Sequence, residues 1–284
     1  MARRYIAEEP TSRLAVWAWR TALFALVATL LAIIIVRSGL LEIRPALATF
    51  FGALGVACIG LCIALAAFVV IWKDGLGGMG SALAAIAVSI SLLAYPAYIV
   101  IKSYKLPWIY DITTDPIDPP RYDAKARPRE ANPIIYAGLA TAEQQRTAYP
   151  DIEPLEEEAT PEAAYKAAID VITRRRWIVV LRRPPEPRRR EGHIEAVARS
   201  PIMGFRDDVV VRIRADGEGS RIDVRSSARY GAFDFGRNAA RIRTLLDDID
   251  EVIGNQKPEV PAAIPAAAKK GKAAPKGNQP TAKR

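Results

Sequence analysis

Residues 221–253 read RIDVRSSARYGAFDFGRNAARIRTLLDDIDEVI, and no other part of the chain sets so many polar residues on regular structure. The alternation of Ile222 and Val224 with polar residues predicts a half-buried strand. A short loop with two glycines follows. Apolar residues at helical spacing from Phe235 to Ile253 then predict an amphipathic helix that covers a sheet. We therefore expect the rest of the domain to fold around this strand–loop–helix unit.

The register of the preceding hairpin follows from the same alternation. If Ala215 pairs with Ser220 across the turn, Ile213 faces Ile222 and the apolar residues share one face. A slip of one residue would place Arg opposite Ile. The pattern therefore predicts a buried apolar face and an outward face of Arg, Asp and Ser side chains.

The last helix carries its charges against the helix dipole. Arg237, Arg241 and Arg243 lie in its first half, and the acids follow in its second half. Cations near a helix N-terminus are unfavourable. Either the charges form solvated i, i+4 pairs such as Arg243 with Asp247, or the early arginines bind a partner or the acids of a neighbouring strand.

The segment 160–254 has the pattern of an α+β domain. Thr160 with Pro161 is a helix start signal. Four strand-like runs separated by Pro and Gly turns follow this helix: Trp177–Leu181, His193–Arg199, Asp207–Arg214 and Ser220–Ala228. We predict a four-stranded antiparallel sheet covered by two helices.

Three apolar runs dominate the first third of the chain: Leu14–Val36, Ala46–Trp72 and Gly78–Ile101. Each run exceeds the ~20 residues needed to cross the hydrocarbon core of a bilayer. None contains an acid, which argues against a proton or ion path. Residues 14–101 are therefore predicted to be a three-helix transmembrane anchor, with Trp108 at the exit interface.

Two further segments are polar. Residues 102–159 are rich in proline and are predicted to be an extended linker, with ITTDPIDPP at 112–120 packing along the domain as an arm. Residues 255–284 are predicted to be a disordered basic tail. Because this tail holds seven basic residues and the single acid Glu259, it carries most of the formal charge of +9. The basic balance is therefore no sign of a basic groove in the domain.

Lys and Arg near the ends of the spans do not decide the orientation, since four lie on each side: Arg3, Arg4, Arg13 and Lys73 against Arg37, Arg44, Lys102 and Lys105. The first helix usually dominates topology. We therefore expect residues 1–13 in the cytoplasm and, after three spans, the C-terminal domain outside.

Four motifs carry a family resemblance: ITTDPIDPP, AYPDIEPL, GFRDDVVVRI and DVRSSARYGAFDFGRNAARI. Over roughly Leu106–Ile253 the chain resembles a bacterial family known only as a domain of unknown function, family 1499. The resemblance implies an envelope protein of the bacterial inner membrane with a periplasmic domain, and it implies no particular activity. By this resemblance the characteristic positions are Asp115, Tyr149, Phe205, Asp207, Asp208, Arg212, Arg225, Ser226, Ser227, Arg229, Asp234, Gly236 and Asn238.

The sequence predicts no catalytic residue, metal ligand set or cofactor. His193 is the only histidine, which excludes a His-rich zinc site. Asp207 and Asp208 are adjacent on a strand and point to opposite faces. Gly231 and Gly236 bracket a loop at a helix N-terminus that would suit an anion. The simpler interpretation of the polar face is a ladder of charges that fixes the sheet: Asp208, Arg212, Asp223 and Arg225.

The leading functional hypothesis is a non-catalytic, membrane-anchored envelope module that binds an anionic or amphipathic partner. Its candidate binding residues are Asp207, Asp208, Arg212, Arg225, Ser227, Arg229 and Asn238. Expected partners are the bilayer and an anionic lipid, an envelope polymer or another membrane protein. One alternative is a membrane-bound hydrolase-like or lipid-modifying enzyme that uses Asp and Ser. Another is a cytoplasm-facing domain whose tail binds anionic lipid or nucleic acid, although nucleic acid is the less favoured ligand.

Overall fold

The structure, a computed structural model, describes residues 10–124, 131–186 and 191–256. The basic tail after Gln256 and the first nine residues lie outside these ranges. Predictions that fall on the tail and on Arg3 and Arg4 are therefore not addressed by the structure.

Three long helices open the described chain: α1 (Arg13–Ser38), α2 (Ile43–Asp74) and α3 (Met79–Ser103). Their lengths of 26, 32 and 25 residues exceed the ~20 residues of a membrane span. All three are long and apolar enough to cross a bilayer. The prediction of three long apolar helices is thus confirmed.

Small residues bring these helices together. Ala18, Ala22, Ala64 and Ala85 are fully buried where the helices meet. An added Cβ at Gly60 would lie 3.4 Å from the Thr21 side chain, so glycine permits the close approach. Without a hydrophobic driving force in lipid, such close packing is what holds helices to each other.

The direction of the helices places three helix ends at one end of the bundle. The Ser12 N–H donates to the Gly77 carbonyl at 2.9 Å, so the start of α1 lies beside the turn between α2 and α3. The end of α1, the start of α2 and the end of α3 therefore share the opposite end, from which the chain enters the domain after Ser103. We call this the domain end of the bundle.

The domain combines three helices with an antiparallel sheet. Its helices are α4 (Leu139–Ala148), α5 (Pro161–Arg174) and α6 (Arg237–Gln256). Its strands are β1 (Asp111–Thr113), β2 (Leu155–Glu157), β3 (Ile178–Arg183), β4 (Glu191–Arg199), β5 (Arg206–Asp216) and β6 (Gly219–Ala228). The order across the sheet is β1-β6-β5-β4-β3, and β2 also pairs with β6.

Within the residues that the structure describes, the sheet has six strands, where the sequence predicted four. The two additional strands, β1 and β2, lie in the segment 102–159 that was predicted to be an extended linker, and so does α4. Both strands hydrogen-bond to the same edge of β6, at different positions along it. Each is three residues long, which is too short for the alternation that reveals a strand. The helix cover is likewise not limited to the two predicted helices.

The predicted register of the β5–β6 hairpin is confirmed. Ala215 pairs with Ser220 and Ile213 with Ile222. Both isoleucines are fully buried, in one apolar core with α5 and α6. The Thr160 side chain caps α5 by accepting the Ala163 N–H, as its sequence signal predicts.

The last helix begins at Arg237, two residues later than predicted. Phe235 and Gly236 have φ angles of 57° and 73°, in the left-handed region, so the chain turns there before the helix starts. Asp234 is the predicted cap, and its carboxylate accepts the N–H groups of Gly236 and Asn238 at 2.9 and 2.8 Å.

Candidate functional site

Most polar residues of β5 and β6 lie on the sheet face opposite the apolar core. Asp208 lies opposite Ser227, and Arg212 lies opposite Asp223. Arg225 has the same parity as Asp223 and Ser227, so it points to the same side. The structure thus places these side chains on the face of the sheet that the alternation of residues predicts.

The prediction that these arginines point outward is wrong. Arg225 is 2% exposed, and Arg212 and Arg229 are each 7% exposed. The face is covered by residues 114–124 and 131–136, which we call the arm. The Tyr122 hydroxyl donates to the Asp208 carbonyl at 3.0 Å, so the arm contacts β5 directly. The pattern of a strand does not tell which other segment will lie over it.

Arg225 is the centre of the contact between arm and sheet. Its guanidinium forms a two-pronged ion pair with Asp111 of β1 at 3.0 and 2.6 Å. It also donates to the carbonyls of Pro120 at 3.0 Å and Ile134 at 2.7 Å. Burial lowers the pKa of Arg225, but the hydrogen bond and charge of Asp111 outweigh burial and raise it above the ordinary value. This cation joins β6, β1 and both parts of the arm.

Two aromatic rings complete the Arg225 environment. The guanidinium carbon lies 4.8 Å from the ring centre of Tyr122 and 5.5 Å from that of Tyr136. Such cation–π contacts strengthen when water is excluded. Burial, and next the charge of Asp111, raises the pKa of Tyr136 to about 12. Tyr136 is therefore neutral at ordinary pH and supports the cation as an aromatic ring.

Asp223 gathers a second group of arginines. It is fully buried. Arg212 and Arg214 each reach its Oδ2 at 2.9 Å, and Arg221 reaches its Oδ1 at 3.2 Å. Arg212 also donates to Asp118 of the arm at 2.9 Å. The pair of Arg212 with Asp223 is the one the charge-ladder interpretation expected.

The remaining pairs of that ladder differ from the expectation. Asp208 binds Arg229 through Oδ1 at 2.7 Å, and Arg225 binds Asp111. The Ser227 Oγ, opposite Asp208, is buried and has no hydrogen-bond partner in the described chain. A nucleophilic serine needs a base within hydrogen-bond reach. The geometry therefore lends no support to catalysis by this Asp and Ser.

The other two candidate residues are Asp207 and Asn238. They lie on the opposite side of the sheet, where α6, which carries Asn238, packs against β5 and β6. Asn238 accepts a hydrogen bond from the Ser226 hydroxyl at 2.8 Å. Asp207 pairs with Arg241 and lies 3.6 Å from Arg237. Two of the early arginines of α6 thus bind an acid of a neighbouring strand, which is the second interpretation of the misplaced charges. The third, Arg243, pairs with Asp151 and not with Asp247.

The anion site expected at the start of α6 is filled by the protein itself. The Asp234 carboxylate accepts the helix N–H groups, and Arg225 and Arg229 are paired with other acids. Burial raises the pKa of Asp234 above its ordinary value, although the N–H groups of Asn238 and Gly236 oppose the change. The N–H groups that would bind an external anion at this helix start are therefore already bound to Asp234.

His193 takes part in a small polar cluster. Its Nε2 lies 3.0 Å from Glu195, and with Asp123 these residues offer one ligand atom each within 4.8 Å. The Glu195 carboxylate already accepts the N–H groups of Asp123 and Ala124, and Asp123 pairs with Arg183. These contacts fasten the arm to β4.

Trp108, which the sequence predicted at the exit interface, belongs to an aromatic surface at the domain end of the bundle. The sequence did not place Phe233 and Phe235 on this surface. Trp108 stacks on Phe233 at 5.3 Å, and Phe233 contacts Phe235 at 4.6 Å. Trp108 is 76% exposed and Phe235 is 44% exposed. The aromatic spacing in AFDF was the available signal, but only the structure places it beside Trp108. We call these three residues the aromatic cluster.

The domain also contacts the helices directly. The Arg37 guanidinium, at the end of α1, donates to the carbonyls of Pro201 at 2.7 Å and Ile202 at 3.2 Å. These carbonyls belong to the turn between β4 and β5. The turn and the aromatic cluster are therefore both at the domain end of the bundle.

A protein-family model matches the domain. The family model described as "Protein of unknown function (DUF1499)" matches residues 111–249. The match begins at the first residue of β1, so the arm lies inside it, and it ends within α6. No curated protein matches the sequence.

Proposed function

We propose, from the premise that residues 111–249 are a domain of this family of unknown function, that the chain is a membrane-anchored, non-catalytic module. Its domain rests on the bilayer surface and binds an anionic or amphipathic partner at its membrane end. The aromatic cluster beside the domain end of three apolar helices is the observation that carries the proposal.

The proposed surface differs from the face of β5 and β6 that the sequence suggested. On that face, Arg212, Arg225 and Arg229 are paired with acids of the same chain beneath the arm. A partner would have to displace the arm and break buried ion pairs. Breaking one such pair leaves an uncompensated buried charge and costs roughly 3–5 kcal/mol. The candidate residues therefore support the domain and leave binding to another surface.

The membrane end has the composition of an interfacial surface. Aromatic side chains concentrate at the level of lipid headgroups, where an apolar ring meets a wet boundary. Trp108 follows the last residue of α3 by five positions, which keeps it near the level where that helix ends. Ile202, in the turn bound by Arg37, is 43% exposed and extends the apolar surface. Large exposed apolar patches mark binding sites for proteins or membranes.

The location of the aromatic cluster is tested by spin labelling of the full chain in vesicles. With Cys58 and Cys62 replaced by Ala, a nitroxide is attached through Trp108→Cys. We expect it to collide with oxygen, which dissolves in lipid, more than with a water-soluble nickel chelate. Glu218→Cys is the matched control, because it lies just beyond Asp216, the far end of β5, and β5 is roughly 34 Å long from its start at the membrane end.

The control label should show the reverse preference. If the label at 108 collides mainly with the nickel chelate, as the label at 218 does, the domain does not rest on the bilayer and the proposal fails. A preference for oxygen at both positions would instead show that the label itself partitions into lipid, and a spin label with a charged side chain then repeats the comparison.

For the compartment we propose the bacterial inner membrane, with the domain on the periplasmic side. The support is an odd number of apolar helices after an N-terminus placed in the cytoplasm, together with the envelope relatives that the motifs resemble. An alkaline phosphatase fused after Arg284 should be active in a bacterial host, and a green fluorescent protein at the same site should be dark. The opposite pair of results would place the domain in the cytoplasm.

A further inference from the structure

A cleft of about 440 Å³ lies between the helix bundle and the domain. One wall is the turn from α1 to α2, and the other is the start of β5 with the loop after β6. Residues from both walls that matter here are Arg37, Leu40, Leu41, Glu42, Arg206 and Tyr230. The cleft belongs neither to the arm nor to the buried ion pairs.

The level of the cleft relative to the bilayer follows from the ends of the helices that form one of its walls. The apolar run of α1 ends at Val36, and α2 begins at Ile43. The turn between them therefore lies where hydrocarbon gives way to headgroups, as it does for any pair of spanning helices joined by a short turn. Tyr230, on the domain wall, is three residues before Phe233 of the aromatic cluster. The domain wall of the cleft is thus close in the chain to the surface proposed to rest on the bilayer.

The polar groups of the cleft suit a phosphodiester. Arg37 and Arg206 lie on opposite walls, and both side chains are exposed. Guanidinium groups bind phosphate oxygens through paired hydrogen bonds. Glu42 is the one acid among the lining residues. The formal charges of these three side chains leave one excess positive charge, which complements a single anionic phosphate.

Exposed apolar side chains also line the cleft. Leu40 is 87% exposed and Leu41 is 50% exposed. Full exposure of such residues to water is unfavourable by ~25 cal/mol per Å² of apolar surface. At the level of the headgroups, the same residues would contact the upper parts of acyl chains. The cleft therefore combines charged and apolar lining residues, as a phospholipid requires.

Two glycines keep the cleft open. Gly39 and Gly204, one on each wall, have φ angles of 67° and 69°, in the left-handed region that L side chains rarely adopt. A Cβ at Gly204 would lie 3.0 Å from the Arg37 side chain, and a Cβ at Gly39 would lie 3.9 Å from the Arg206 guanidinium. Glycine at 204 therefore lets the turn between β4 and β5 pack closely against the stem of Arg37, and glycine at 39 leaves space beside the Arg206 guanidinium.

We propose that this cleft binds the headgroup of a monoanionic phospholipid from the surrounding bilayer. The phosphate lies between Arg37 and Arg206, the neutral hydroxylated part of the headgroup faces Glu42 and Tyr230, and the acyl chains leave along Leu40 and Leu41. The proposal rests on the proposed function for the position of the domain at the bilayer, and it names the anionic partner.

Native mass spectrometry of the full chain in detergent tests the proposal. The protein is titrated with phosphatidylglycerol, phosphatidylethanolamine and phosphatidylcholine that have the same acyl chains. We expect phosphatidylglycerol to bind about tenfold more tightly than either zwitterionic lipid, because its net charge of about −1 matches the excess positive charge of the site and the zwitterionic lipids have no net charge. Arg206→Ala should lower phosphatidylglycerol affinity about tenfold and leave phosphatidylcholine binding unchanged.

Arg174→Ala is the matched control, because Arg174 is an exposed arginine of α5 that does not line the cleft. It should bind all three lipids as the unchanged protein does. Arg206→Lys, which keeps the charge but not the planar fork, should retain part of the preference. Equal affinity for the three lipids, or an Arg206→Ala protein that binds phosphatidylglycerol normally, would refute the site.

The two proposals fail in different ways. If lipid selectivity is missing while the label at position 108 lies in lipid, the headgroup site alone is refuted. If that label lies in water, the resting of the domain on the bilayer is refuted, whatever the lipid titration gives. Size-exclusion chromatography of Arg206→Ala shows whether the protein is still folded, which an exposed side chain leads us to expect.

Discussion

Arg225→Ala should lower the free energy of unfolding of the domain by about 3–5 kcal/mol, the usual cost of removing one partner of a buried ion pair. Asp111, its partner, is 2% exposed and would lose both hydrogen bonds of this buried ion pair. The carbonyls of Pro120 and Ile134 would lose the same donor. The arm should therefore loosen as the domain loses stability.

Thermal unfolding of the full chain in detergent, followed by limited proteolysis, measures both effects. The protease should cut within residues 114–124 in the variant and spare this segment in the unchanged protein. Arg174→Ala, an exposed arginine, is the matched control and should change the free energy by no more than about 0.5 kcal/mol. Arg225→Lys should also be destabilised, since a lysine cannot form the two-pronged contact.

A double variant separates the charge from the packing. Adding Asp111→Asn to Arg225→Ala removes the buried carboxylate that has lost its ion pair with Arg225, so part of the lost stability should return. If the double variant is less stable than Arg225→Ala alone, the lost stability came from the packing of the Arg225 side chain and not from the buried charge of Asp111. If Arg225→Ala unfolds like the unchanged protein, Arg225 is not the centre of the contact between arm and sheet.

Ile213→Ala is expected to cost about 2–5 kcal/mol, as truncation of a fully buried isoleucine does. Ile213 is 0% exposed and lies opposite Ile222 in the core beneath α5 and α6. Its removal creates a cavity that neighbouring strands cannot close, because they are held by hydrogen bonds on both sides. This substitution reports directly on the alternation that assigns side chains to the two faces of β5.

Ile178→Ala supplies the same chemical change at an exposed position. Ile178 is 50% exposed on β3, at the edge of the sheet, so its truncation should cost less than about 1 kcal/mol. The measurement is the midpoint of chemical denaturation for the two variants and the unchanged protein. Equal losses at the two positions would mean that the faces of the sheet have been assigned wrongly.

The long apolar segments and the register of the β5–β6 hairpin could be predicted from the sequence. A span is recognised by length and composition alone, because hydrocarbon tolerates few polar groups. The register of β5 and β6 follows from a period of two, since a slip would turn every side chain to the wrong face. Asp234 as the cap of α6 was likewise a local signal, although the helix starts two residues later than the sequence suggested.

The strands β1 and β2 could not be predicted from the sequence. Three residues are too few to show a periodicity, and the many prolines around them suggest a spacer. Their place in the sheet depends on the free edge of β6, which is more than 40 residues away from β2 and more than 100 from β1. Such an edge attracts any segment that can supply backbone hydrogen bonds.

The arginines of β5 and β6 show which properties the sequence determines and which only the tertiary structure decides. The sequence by itself determined that Arg212, Arg225 and Ser227 share one side of the sheet, because alternate residues of a strand point the same way. Only the tertiary structure decided that this side is dry. Arg225 is buried by Asp111, 114 positions away in the chain, and by an arm that carries its own acids and aromatic rings. Burial is a property of what packs on a surface, and packing depends on contacts between distant residues that no local pattern records.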